Sequence, residues 1–342
     1  MNPVIGLDVS KGESQVQAFL DKGKPYRKSF KVPHTVEGLS LLIEFLEDVK
    51  KETGKKPPIV LESTGHYQTP VVHYLEERGY LLIVINPLIS YKARGSSLRK
   101  VKTDAIDAYL LCELFYKEEL EPYKKRGVQL LNLRNLTRQH ENITGVMIQT
   151  KLQFQAVLEQ VFPEYKGVFG DLYSVVSLLT LSEFPSSEDI LEADEDTITD
   201  KIFELCKSRS IKWANEKAIQ LKATAARNPF ERTVYQSHIL SLDMYINILL
   251  QYKEHLSKLE SEIDALAKEI EEYNIIKSIP GIGEKIAATI ISEIEEIDRF
   301  NDPKKLVAFA GVDPSVFESG KFTATKNRIT KRGSSRLRHA LL

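Results

Sequence analysis

Two stretches of this chain place apolar residues in alternating steps of three and four, and they leave it few ways to fold. The first runs through Leu133, Leu136, His140, Ile143, Met147, Thr150, Phe154, Val157 and Val161. The second runs through Ile239, Leu242, Ile246, Leu249, Tyr252, Leu256, Leu259, Ile263, Leu266, Ile270 and Tyr273, with two successive steps of three around Leu249 as its irregularity. That spacing is a heptad seam, so it predicts two long helices paired as a coiled coil. His140 and Thr150 are the polar members of the first seam. Between the two runs, residues 163–230 read as a small helical insert bounded near Pro163 and Pro229, and no chemistry is legible in it.

The seams divide the chain into three expected domains: 1–118, 119–273 and 274–342. In the first, VIGLDV, SQVQAFL and RKSFKV are short strand-like runs separated by turn residues, and VEGLSLLIEFLEDVKK is amphipathic. PIVLES, TPVVHYLEERG and LLIVINP then alternate strand, helix and strand, before a helix that starts near Thr103, an N-cap residue type. That order is α/β. The third part opens with SIPGIGEKIAATIISEI, where a tight PGIG turn between helical segments resembles a helix-hairpin-helix. Exposed N–H groups at such a helix start can hold a phosphate. The last stretch, KFTATKNRITKRGSSRLRHALL, has seven Lys or Arg and no acid, and it stops inside an apparent helix, so a truncated end is expected.

Composition removes several function classes. With 42% apolar and 28% charged residues and a net charge of -1, the chain is an ordinary globular one, and any polyanion signal has to be local. Cys112 and Cys206 are its only cysteines and neither has metal-like neighbours, which argues against a zinc site or a disulfide framework. No signal peptide and no run of about 18 apolar residues is present, so a cytoplasmic protein without a membrane partner is expected.

Four acids stand where chemistry could use them. Asp8 closes the strand VIGLD and Glu62 closes IVLE; in a sheet with parallel neighbours, strand ends are where sites form. Asp104 and Asp107, three apart in VKTDAIDAYLL, share one helix face. Four gathered carboxylates repel one another unless a cation lies between them, and oxygen-only ligands favour Mg2+ or Mn2+. A two-metal centre of that kind serves in-line attack at phosphorus. Taken singly, each acid is also an ordinary turn, cap or helix-dipole residue. Beside the pair, Lys92, Arg94, Arg99, Lys100 and Lys102 fall in a stretch without acids between Asn86 and Thr103, which suits a phosphate clamp.

The runs GLDVSK, LESTGHY and KTDAIDA resemble the RuvC-like domain of the DEDD transposases of bacterial insertion sequences, the IS-one-ten family. The resemblance implies a ribonuclease H-like fold with Asp8, Glu62, Asp104 and Asp107 as its metal site. The segment from SIPGIG to RLRHALL is similar to the same family's C-terminal transposase domain, in which a serine before glycine follows an AG(L/V)xP segment. Here that serine is Ser319, before Gly320. The resemblance implies that Ser319 attacks DNA and forms a transient phosphoserine link. Lys321, Lys326, Arg328, Lys331, Arg332, Arg336 and Arg338 surround or follow it and could stabilise charge on a phosphodiester. A serine hydroxyl needs a base or a metal to activate it, and the acid set is the expected source. The family further implies DNA partners (element ends and target), an element-encoded structured guide RNA and a homo-oligomer. No RRM or KH signature appears, so RNA binding rests on the resemblance alone.

Three other readings stay open at this level. A RuvC-like junction-resolving endonuclease would use water at the acids and no serine. GLDVSK also resembles the phosphate loop of actin-like or sugar-kinase ATPases, though further Gly-rich loops are missing. A non-catalytic nucleic-acid module would use only the hairpin and the basic tail.

Overall fold

The computed structural model describes residues 1–63, 65–95, 103–120, 122, 127–230, 236–315, 318–319, 322–323 and 328–342, without the side chains of residues 88, 92, 94, 95, 318, 319, 322 and 323. It forms two compact units, Met1–Lys125 and Arg126–Leu342.

In the first unit the chain runs β1 (Val4–Val9), β2 (Glu13–Asp21), β3 (Lys24–Pro33), α1 (Val36–Thr53), β4 (Ile59–Glu62), α2 (Gln68–Glu77), β5 (Leu82–Ile85), α3 (Pro87–Gly95) and α4 (Asp104–Lys117). Among the described residues the five strands form one mixed sheet in the order β3-β2-β1-β4-β5. β1, β2 and β3 pair antiparallel, whereas β4 and β5 join parallel to β1 through helical crossovers. The alternation of β1 sorts its side chains. Ile5, Leu7 and Val9 are buried with Leu42 and Leu46 of α1 and with Val71 and Leu75 of α2. Val4 instead joins Val60, Ile83, Leu111 and Cys112 under α4. Two helices carry the caps their sequences call for: the Thr35 hydroxyl accepts from Gly38 N at 3.1 Å before α1, and that of Thr103 accepts from Ile106 N at 3.3 Å before α4.

The second unit is almost entirely helical: α5 (Val128–Val161), α6 (Val175–Glu183), α7 (Ser187–Glu192), α8 (Glu195–Leu205), α9 (Ile211–Ala225), α10 (Gln236–Lys268), α11 (Glu271–Lys277), α12 (Glu284–Ile294), α13 (Pro303–Ala310), the two-residue strands β6 (Glu318–Ser319) and β7 (Phe322–Thr323), and α14 (Ser335–Leu341). α5 and α10 pair antiparallel. Phe154, Leu158 and Val161 share a core with Leu242, Ile246 and Leu249, while Leu133 packs at the other end with Ile263 and Ala267. The insert has no core of its own among the described residues: Phe162, Tyr165, Ile190, Ile198 and Leu221 complete the cluster begun by the helix pair. Ser174, Ser186, Asp194 and Ser210 cap the N-termini of its four helices.

The second seam does not continue as one helix. α10 stops at Lys268, Ile270 is extended with φ -98° and ψ 123°, and Tyr273 belongs to α11. The break lets the apolar residues beyond it turn inward, where Tyr273 is buried against the cluster of Leu133, Ala287 and Ile291. No described helix is long and apolar enough to cross a membrane.

Candidate active site

The acid end of the sheet is assembled by one close approach. α4 runs antiparallel over β1: Tyr116 donates its hydroxyl to the Asn2 carbonyl at 2.6 Å, and Cys112 Sγ reaches the Gln17 carbonyl at 3.3 Å. Midway, a Cβ on Gly6 would stand 2.0 Å from the Ala108 carbonyl oxygen and 2.9 Å from Cys112 Sγ. Only glycine lets the helix lie that near the strand. One turn farther toward its N-terminus, α4 brings Asp107 and Asp104 to the end of β1 where Asp8 sits.

The pairing register supplies the remaining members. Leu7 pairs with Leu61 in the parallel direction, so Asp8 and Glu62 are neighbours at adjacent strand ends on the face that α4 covers. Asp8 also pairs with Gln15, and Gln15 with Lys31, which continues the row to β3. Ser90 of α3, buried, donates its hydroxyl to Glu62 Oε2 at 2.5 Å. Asp107 is buried, while Asp104 is exposed. The four predicted carboxylates thus occupy one corner of one sheet face. They are not closed onto a single point: among the described residues no three His, Cys, Asp or Glu side chains are grouped tightly enough to hold a metal ion. The donor chemistry fits Mg2+ or Mn2+, which take carboxylate oxygens. Of the basic run beside the pair, the side chains of Lys92 and Arg94 and the whole of Arg99, Lys100 and Lys102 lie outside the described residues.

The segment of Ser319 is an arm on the second unit. After α13, Gly311 adopts φ 68°, and residues 313–315 pair with 328–330 as a stem. Thr330 N donates to the Asp313 carbonyl at 2.9 Å, Thr330 Oγ1 donates to Asp313 Oδ1 at 2.5 Å, and Ser315 N donates to the Arg328 carbonyl at 2.8 Å. Above it, β6 and β7 pair antiparallel with Ser319 opposite Phe322. The Ser319 side chain, with Lys321 and Lys326, lies outside the described residues. Arg328, Lys331 and Arg332 are exposed at the stem. Arg336 and Arg338 are engaged within the fold: Arg336 pairs with Glu141 at 2.6 Å, and Arg338 donates to the Ala310 carbonyl at 3.2 Å. Near the PGIG turn, where Gly281 has φ 91°, Lys277 pairs with Glu284 and Lys285 with Glu260.

One acid that reads as solvated in the run SEIEEID is buried. Glu293 of α12 accepts from Arg138 Nε at 2.7 Å and from the Ser334 hydroxyl at 2.9 Å, with Arg134 at 3.4 Å. It ties α5, α12 and the cap of α14 together. Burial opposes its charge, yet the Arg138 hydrogen bond and the two guanidiniums outweigh that and hold its pKa below the ordinary value. Its stabilising effect is therefore complete above the unfolded pKa of about 4.3 and is lost as pH falls through the lower folded value. Glu293→Gln is expected to cost about 3 kcal/mol at neutral pH, since it leaves the Arg138 guanidinium without its buried partner while Arg134 keeps Glu295. Partial exposure of Arg138 keeps the figure at the low end of such losses. Denaturant melts at several pH values check this, and the gap from wild type should narrow below pH of about 4.

The comparisons bear on both units. Residues 5–163 match the DEDD family profile of IS110 type, described as transposase, and residues 273–342 match the profile described as transposase IS116/IS110/IS902 family. The chain belongs to the IS110 family of transposases. The first IS110-family match spans the whole acid corner and α5, and the second spans the arm and the buried Glu293. Among relatives, the transposase for insertion sequence element IS1111A of Coxiella burnetii is 33% identical over 94 residues, covering 28% of this chain and 26% of its own length. The 44.8 kDa protein of insertion element IS116 from Streptomyces clavuligerus is 19% identical over 354 residues, covering 98% of this chain and 81% of its own. The chain thus spans about a quarter of the Coxiella relative. Ser90 was not legible as a site residue in the sequence, because its link to Glu62 crosses from α3 to β4.

Proposed function

We propose that this protein is the transposase of an insertion sequence, a site-specific recombinase that cleaves and exchanges DNA strands. The observation that carries the reading is the corner of four carboxylates, with Asp8 and Glu62 on adjacent parallel strand ends and Asp104 and Asp107 in the first turn of α4. Mixed strand order with a helix across the acid end is compatible with a ribonuclease H-like domain. Asp8, Glu62, Asp104 and Asp107 would hold Mg2+ or Mn2+. Bound there, the ion supplies neutralisation of charge at the reacting phosphate.

In this reading the protein has three working parts: a RuvC-like domain at 1–118, a coiled-coil region at 119–273 and a serine-bearing domain at 274–342. The Ser319 oxygen forms a bond to phosphorus as the bond to one deoxyribose oxygen breaks; the serine proton passes to a carboxylate or solvent base, and the departing oxygen takes a proton from solvent. Arg328, Lys331 and Arg332, exposed on the stem, meet the DNA backbone. The N–H groups at the start of α12 form a helix-hairpin-helix contact to phosphate. A structured guide RNA supplies sequence, and a homo-oligomer supplies the several active sites that exchange between two duplexes demands.

The test is strand cleavage of duplexes carrying the element ends, with and without guide RNA. Activity should vanish with a chelator and return with Mg2+ or Mn2+. Cleavage that survives chelation would remove the acid corner from the reaction.

A further inference from the structure

Nothing local in the run RKSFKV marks Lys31, but the sheet carries it to the acid corner. Lys31 pairs with Gln15, which pairs with Asp8, so the three residues form one row across β3, β2 and β1 on the face beneath α4. Its ammonium is anchored rather than free: Nζ donates to Glu13 Oε1 at 2.5 Å. Glu13 and Gln15 share a side of β2, so this anchor points the ammonium along the same face. The first turn of α4 closes the other side. The hydrogen bond and charge of Glu13, and after them the charge of Asp104, raise the pKa of Lys31, which places Asp104 within electrostatic reach. The side chain remains 56% accessible, open to a partner arriving from solvent.

We infer that Lys31 is a phosphate-contacting residue of the acid corner, which binds a backbone oxygen of the DNA strand brought to Asp8 and Asp104. The inference rests on the strand-cleaving role proposed above. Four carboxylates alone would repel a phosphodiester, and a cation at the rim both offsets that field and gives the strand a fixed contact. Glu13 holds the ammonium in register before DNA arrives and yields it to the phosphate, since a solvent-exposed ion pair of this kind is weak and readily exchanged. The arrangement asks for a lysine on β3 that is exposed yet oriented. Lys28 on the same strand has no such anchor among the described residues, which makes it the control.

The experiment compares full-length wild-type, Lys31→Gln, Lys31→Arg and Lys28→Gln proteins binding a fluorescein-labelled duplex of an element end over a range of KCl, with Ca2+ as the divalent ion. Melting temperatures confirm that all four fold. Loss of one phosphate contact should lower the slope of log K against log salt by about 0.9 in Lys31→Gln, and leave it unchanged in Lys28→Gln. Lys31→Arg should keep the wild-type slope. A Lys31→Gln slope equal to wild type overturns the inference and leaves the Glu13 link as a surface ion pair. Single-turnover cleavage in Mg2+, with Asp8→Ala alongside, separates the two ideas. If wild-type protein cleaves nothing while the Lys31→Gln slope still falls, the proposed reaction fails and the contact stands. If Asp8→Ala abolishes cleavage while Lys31→Gln matches wild type in slope and rate, the contact fails and the reaction stands.

Discussion

Asp8→Ala is expected to reduce strand cleavage by on the order of 10³-fold, the scale on which phosphoryl transfer responds to loss of a principal electrostatic element. The substitution removes the carboxylate from the centre of the corner, between Gln15 on β2 and the end of β4. It removes nothing from either core, because the buried residues of β1 on the opposite face are Ile5, Leu7 and Val9. Asp104→Asn, an exposed and nearly isosteric change in the first turn of α4, should lose cleavage on a similar scale. Titration of Mn2+ followed by its electron spin resonance gives a readout independent of turnover, and both variants should bind the ion more weakly. Either variant retaining cleavage within tenfold of wild type would take its carboxylate out of the reaction.

Ser319→Ala is expected to abolish any covalent protein–DNA product while duplex binding stays at the wild-type level. The change deletes one oxygen from a two-residue strand whose partner is Phe322. Its supports lie lower in the arm, in the bonds between Asp313 and Thr330 and between Ser315 and Arg328, and these are untouched. A labelled duplex that migrates with denatured wild-type protein, and fails to do so with Ser319→Ala, checks the expectation. If wild type cleaves without ever retaining label, and Asp8→Ala still abolishes cleavage, water is the nucleophile and the junction-resolving endonuclease becomes the better description. The same comparison decides whether the arm is a catalytic part or only a basic contact surface.

Much of the architecture was readable because its signals are local. Short strand-like runs between turn residues mark β1 and β2, the Thr103 hydroxyl caps the helix it precedes, and steps of three and four announce α5 and α10. The four acids could be proposed for the same reason, since strand ends and one helix face are short-range features. Other features depend on partners far away in the chain. The break after Lys268 goes against the seam because burying Tyr273 beside Leu133 outweighs one continuous helix. Glu293 reads as one more acid in an acidic run until α5 delivers Arg138 and Arg134 to it. Arg336 and Arg338 look like basic display, whereas Glu141 and the Ala310 carbonyl engage them. Sequence by itself determined β1 to β5, α1, α2, α4 and the two long helices, and which acids end the strands, because propensity and periodicity act over a few residues. Tertiary structure alone decided that Gly6 admits α4 onto β1 and that Lys31 lines up with Asp8, because close approach and strand register are set by contacts between segments the sequence keeps apart.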